Sequence, residues 1–90
     1  VQKHAPKNLG LRKKEKDALH ATAKSLRDDE YDEKGLHAKF FEISKELGMS
    51  TKDFFKAAYK VLLNKEKGPR LAPFIIALGK GKVIKLFEEV

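Results

Sequence analysis

The sequence predicts a small all-α domain, a bundle of about five helices. Apolar residues recur at helical spacing in five successive stretches, and no stretch sustains the alternation of a half-buried strand. Gly, Pro, Ser and Asp also fall where such helices should start and stop. Ninety residues with 41% hydrophobic content suit one domain with one modest core. Val83-Ile84 and Phe74-Ile75-Ile76 tempt a strand assignment, but both sit inside helical spacing.

Residues 1–10 carry no period and include Pro6 and Gly10. They read as an extended lead-in or an artificial boundary, and Val1 in place of Met reads as a fragment or a processed product. The single helical domain is expected over 11–90. Its first helix should run from Arg12 to about Asp28, with Leu19, Thr22, Ala23 and Leu26 as a narrow apolar face. Asp28, Asp29 and Glu30 oppose the helix dipole and should end it.

Asp32 is placed to cap a second helix, whose seam is Leu36, Phe40, Ile43 and Leu47, widened by His37 and Phe41. Gly48 stands at a left-handed C-terminal cap. Ser50 and Asp53 have capping-box spacing, and Met49 is placed to staple against the first turn of a third helix. That helix should reach Leu63 or Asn64. It buries an arc of Phe54, Phe55, Ala57, Ala58, Val61 and Leu62, with Lys52, Lys56 and Lys60 along the opposite edge.

Lys65 to Arg70 form a turn marked by Gly68-Pro69. Leu71, Phe74, Ile75 and Leu78 then define a fourth helix. Ala72, Ile76 and Ala77 are apolar too, so it is expected to be buried almost all round, with Pro73 in its first turn. Gly79-Lys80-Gly81-Lys82 reads as a connector. Val83, Ile84, Leu86, Phe87 and Val90 make a last short helix. Phe40, Ile43, Leu47, Phe55, Leu62, Phe74, Ile75 and Leu78 are expected in one core.

The absence of Cys excludes disulfides, thiol catalysis and cysteine-ligated metals. No apolar run approaches the roughly 18–20 residues of a membrane span, and no signal-peptide pattern is present, so an intracellular, cytoplasmic protein is expected. His4, His20 and His37 lie far apart and match no metal-ligand spacing, so no metal site is expected. His37 reads as a packed or surface histidine and His20 as solvated. The carboxylates of Asp28-Asp29-Glu30 and Glu88-Glu89 lie at helix ends and read as solvated. No residue stands out as catalytic.

Charge is the positive clue. Twenty Lys and Arg against 13 Asp and Glu leave +7. Two readings follow: a polyanion partner, or a solubilising surface of the Lys- and Glu-rich kind found in heat-adapted proteins. The excess sits in the C-terminal half. Lys52, Lys56 and Lys60 step along about 12 Å of helix edge and lead into a turn carrying Lys65, Lys67 and Arg70. Tyr59 flanks that edge, where a base could stack while lysines hold phosphates. Arg70, at the opening of a helix, is suited to a base edge. The competing reading makes the stripe a solvated helix back and Tyr59 a half-buried core residue.

Several segments resemble the C-terminal end of class I lysyl-tRNA synthetases. They are Phe41-Glu42-Ile43-Ser44-Lys45-Glu46-Leu47-Gly48, Phe54-Phe55-Lys56-Ala57-Ala58-Tyr59-Lys60-Val61-Leu62-Leu63-Asn64-Lys65, Gly68-Pro69-Arg70 and Phe74-Ile75-Ile76-Ala77-Leu78-Gly79. The likeness is strong over Leu36 to Glu88 and loose over Leu11 to Asp32. Asn64 departs from the usual Gly, and Gly81 is an odd start for a helix.

The resemblance implies a helical cage that binds the anticodon of lysine tRNA. It also implies a parent enzyme whose ATP-dependent catalytic domain, with HIGH-like and KMSKS-like signatures, is absent from these residues. The chain alone should therefore aminoacylate nothing and hold no cofactor. On this reading Lys56, Lys60, Lys65 and Lys67 hold phosphates, while Tyr59 and Arg70 meet bases. Gly68 is expected to supply an unusual dihedral. The alternative is a helical protein-interaction or docking module, which should leave an apolar patch uncovered. A helix-turn-helix is a weaker third reading, because Asp53 and bulky Phe residues stand where base-reading side chains belong.

Overall fold

Five helices form where the caps and seams direct them: α1 (Lys13–Asp28), α2 (Glu33–Leu47), α3 (Thr51–Leu63), α4 (Leu71–Leu78) and α5 (Lys80–Glu88). The computed structural model describes residues 10–90, so the reading of residues 1–9 lies outside the described part. No strand occurs among the described residues.

The helix ends are held by local hydrogen bonds. The Asp32 carboxylate accepts from the Gly35 amide at 2.7 Å, and Ser50 Oγ accepts from the Asp53 amide at 3.1 Å. Gly48 adopts φ 68°; its amide donates to the Lys45 carbonyl and that of Met49 to the Ser44 carbonyl, which closes α2 in a Schellman motif. Asn64 ends α3 at φ 56°, a left-handed position that Asn tolerates better than most side chains.

The core lies where α1 meets α5, α2 and α3, with α4 closing one end against α2 and α5. Leu19, Leu36, Phe40, Phe54, Leu62, Leu86 and Phe87 are among the fully buried side chains. Two hydroxyls share this interior, and each is satisfied within its own helix. Thr22 donates to the Ala18 carbonyl and Ser44 to the Phe40 carbonyl, both at 2.8 Å. At the surface, Arg27 grips both oxygens of Glu88 at 2.5 and 2.6 Å, fastening α1 to α5. Lys80 reaches Glu30 at 2.5 Å. Such exposed pairs contribute about 0–1 kcal/mol each.

The core differs from the sequence expectation in its details. Phe40, Ile43, Leu62 and Ile75 are buried, whereas Leu47, Phe55, Phe74 and Leu78 are partly buried and rest against the core. The fourth helix is not buried all round. Ile76 is 46% exposed and Ala77 is exposed, because α4 has neighbours on one side only, chiefly α2 and α5. Nor is Gly79–Lys82 a connector. Gly79 alone, at φ 93°, separates α4 from α5, and Lys80, Gly81 and Lys82 form the first turn of α5. His20 is exposed, with its Nε2 lying 2.7 Å from the Val90 carbonyl oxygen.

Candidate nucleic-acid interface

The turn between α3 and α4 is held by α3 itself. Tyr59 sits on the α3 face toward the turn, and its hydroxyl donates to the Pro69 carbonyl. Burial pushes the Tyr59 phenol above its ordinary value, which keeps the donating form in place. Gly68 presses against the same ring: a Cβ there would lie 3.0 Å from Tyr59 Cδ1 and 2.8 Å from Leu63 Cδ1. Gly68 does not have a positive φ. The turn needs glycine for the space a side chain would fill and not, as expected, for an unusual dihedral.

The consequence is a cleft of about 720 Å³ between the start of α2, α3 and the turn. Phe55, Tyr59, Leu71, Ala72 and Pro73 supply its apolar wall; Asp32, Glu33, Lys34, His37 and Arg70 supply polar groups. Its size and its mixed lining suit a small flat ligand held by a few polar contacts. Arg70 is the residue before α4, is exposed, and has no ion pair among the described residues. His37 is exposed and stands edge-on to Phe41 at 4.9 Å and 6.2 Å from Phe55. A chain of rings therefore runs from the core outward: Phe54 to Phe40 at 5.2 Å, Phe40 to Phe55 at 6.0 Å, then His37.

The lysines flank this cleft in two further depressions. Lys52, Lys56 and Lys67 line one of about 500 Å³, which shares Phe55, Tyr59 and Gly68 with the cleft. Lys56 and Lys60 line another of about 400 Å³, on the α1 side of α3. Lys56 belongs to both, so Lys60, Lys56, Lys67 and Arg70 follow one another around the surface. Lys65 is exposed but lines none of the three. Tyr59 is 8% exposed, which places its ring as the support of the turn and not as a free stacking platform.

Sequence reasoning missed His37, Asp32 and Glu33 as cleft residues. Their positions at the start of α2 carry no signal until the fold sets that turn opposite Arg70. It also missed Arg12 and Lys14, which share the depression of Lys56 and Lys60. Among the described residues no cluster of His, Cys, Asp or Glu could hold a metal, and no helix is long and apolar enough to cross a membrane.

Comparison with known sequences gives this surface a context. The model of a family described as an anticodon binding domain matches residues 2–89. The chain belongs to the anticodon-binding domain family. Its relatives include a lysine–tRNA ligase of Methanocaldococcus jannaschii, 38% identical over 78 residues, which covers 87% of this chain and 15% of that protein. The lysine–tRNA ligase of Thermococcus kodakarensis is 35% identical over 81 residues, covering 89% of this chain and 15% of the relative. That of Pyrococcus horikoshii is 30% identical over 97 residues, covering 94% and 18%. The chain thus spans less than a fifth of the length of these relatives. The likeness to these lysine–tRNA ligases covers 87–94% of this anticodon-binding chain.

Proposed function

We propose that this chain is the anticodon-reading domain of a class I lysine–tRNA ligase. It places lysine tRNA in the cytoplasm for aminoacylation by an ATP-dependent catalytic domain that these 90 residues do not contain. The observation that carries the reading is the cleft beside Gly68-Pro69-Arg70 in a chain of this family, flanked by lysines that have no ion pair among the described residues. An unstacked base fits between an apolar wall and the polar groups of Arg70, His37, Asp32 and Glu33. The guanidinium of Arg70 offers a planar fork to a base edge, and the lysines hold flanking phosphates. Tyr59 acts through Pro69, by fixing the turn from which Arg70 projects.

A docking role on the remainder of a longer protein finds support in two exposed apolar side chains, Phe41 at 48% and Ile76 at 46%. The deciding experiment is a binding titration with lysine tRNA transcripts carrying native or altered anticodons. Tighter binding to the native anticodon supports the reading. Equal binding to all of them, or none, overturns it in favour of docking.

A further inference from the structure

Four cations from two helices distant in sequence converge on the depression between the start of α1 and α3: Arg12, Lys14, Lys56 and Lys60. None has an ion pair among the described residues, in contrast to Arg27, Lys39 and Lys80. Lys14 Nζ reaches across to the α2–α3 turn, where a Cβ on Gly48 would lie 3.9 Å from it. Lys56 and Lys60 are partly buried and line the groove. Two carboxylates share the lining, and they do not cancel the four cations. Glu15 accepts from the Arg12 amide at 3.0 Å, and Asp53 sits at the first turn of α3.

Two backbone amides of the lining are already engaged, that of Arg12 by Glu15 and that of Asp53 by Ser50 Oγ, and the four cationic side chains supply the attraction for an anion. The groove is lined mainly by polar and charged side chains from the start of α1 and from α3, with four cations against two carboxylates, which suits phosphates.

We infer that this groove is a second contact for RNA, holding sugar-phosphate backbone away from the base cleft; the inference rests on the anticodon-reading function proposed above. Lys56 links the two sites, since it lines both this groove and the depression that adjoins the cleft. A strand whose base occupies the cleft would pass over Lys67 and Lys56 and reach Arg12 and Lys14. Because phosphates carry no base identity, this contact adds affinity without discrimination.

The test compares Arg12→Gln/Lys14→Gln with Lys13→Gln/Lys16→Gln, which removes equal charge from α1 outside the groove. Each chain is titrated with native and altered lysine tRNA transcripts over a salt series, and its helicity is checked by circular dichroism. The groove pair should weaken binding to both RNAs by the same factor and flatten the log–log salt slope by about 1.4, or about 0.7 for each single-strand phosphate no longer neutralised. The control pair should change the slope far less. Equal effects of the two pairs, or no effect of the groove pair on an RNA that the unaltered chain binds, would overturn the groove while leaving the anticodon reading intact. Absence of RNA binding by the unaltered chain would overturn both.

Discussion

The hydroxyl of Tyr59, near the middle of α3, donates to the carbonyl of Pro69 ten residues later, and so ties the turn that carries Arg70 back onto the helix that carries Lys56 and Lys60. The bond sits over a ring that Gly68 touches, so the turn is held both by polarity and by shape. Tyr59→Phe keeps the ring and removes the donor. The expected loss is about 0.5–1.5 kcal/mol of unfolding free energy, since the exposed turn lets water replace the partner. Denaturant titration reads it. A larger effect on RNA discrimination than on stability is expected, because Arg70 hangs from this turn.

Burial raises the Tyr59 phenol above the ordinary tyrosine value of 10.0. The folded state therefore holds the phenolic proton more tightly than the unfolded chain does. Its stabilising contribution is fully present below about pH 10, the unfolded value. It is lost as pH rises through the raised folded value. On a Tyr31→Phe background, tyrosinate absorbance reports Tyr59 alone among the two tyrosines. The midpoint should lie above that of the denatured chain. A midpoint at or below it would contradict the burial.

Gly68→Ala should cost about 1–3 kcal/mol, the usual range for forcing atoms into a filled site. The Leu63 methyl at 2.8 Å can swing aside, but the Tyr59 ring at 3.0 Å is pinned by its hydroxyl bond. In the double variant Gly68→Ala/Tyr59→Phe the ring is freed from that bond. The combined loss should then fall below the sum of the two single losses, a coupling that a double-mutant cycle measures.

Burial also orders the apolar truncations. Phe87 is fully buried in the contact of α5 with the bundle, and Phe87→Ala should cost about 3–5 kcal/mol. Phe74 is only partly buried on the exposed end helix, so Phe74→Ala should fall below that range. Thermal or denaturant unfolding of the pair gives the ranking. The reverse order would mean that α4 is covered more completely than its one-sided contacts allow.

The same contrast shows what the sequence could and could not reveal. Asp32, Gly48 and Ser50 marked helix boundaries because capping is a local matter, decided within a few residues. The exposure of Ile76 was not local. It depends on how many helices surround α4, and an eight-residue apolar run looks the same whether it is enclosed or lies at an end. Tyr59 was ambiguous for a related reason: its wheel position borders the lysine edge, and only the returning Pro69 carbonyl shows where its hydroxyl goes. His37 and Arg12 joined their sites through contacts between distant segments, which no spacing rule encodes.

Readout can be separated from attraction by comparing Arg70 with Lys60. Lys60 lies in the basic groove beside Lys56, and Lys60→Ala should weaken binding to native and altered anticodons alike while flattening the salt slope. Arg70 lines the cleft beside the turn, and its guanidinium has no ion pair among the described residues. Arg70→Ala should cost more for the native anticodon than for an altered one, by about 1–3 kcal/mol if the fork meets a base edge. Arg70→Lys sharpens the comparison, because an ammonium keeps the charge and loses the planar pair of donors. If Arg70 reads a base, Lys at this position should leave the discrimination lost. If Arg70 only attracts phosphate, Ala should lower affinity for both RNAs alike, and Lys should restore that affinity and the salt slope. Arg70 precedes α4 without a side-chain capping bond, so neither substitution removes a hydrogen bond that holds the helix. Equal losses on both RNAs for Arg70→Ala would move the discriminating contact to the other polar groups of the cleft, His37, Asp32 and Glu33.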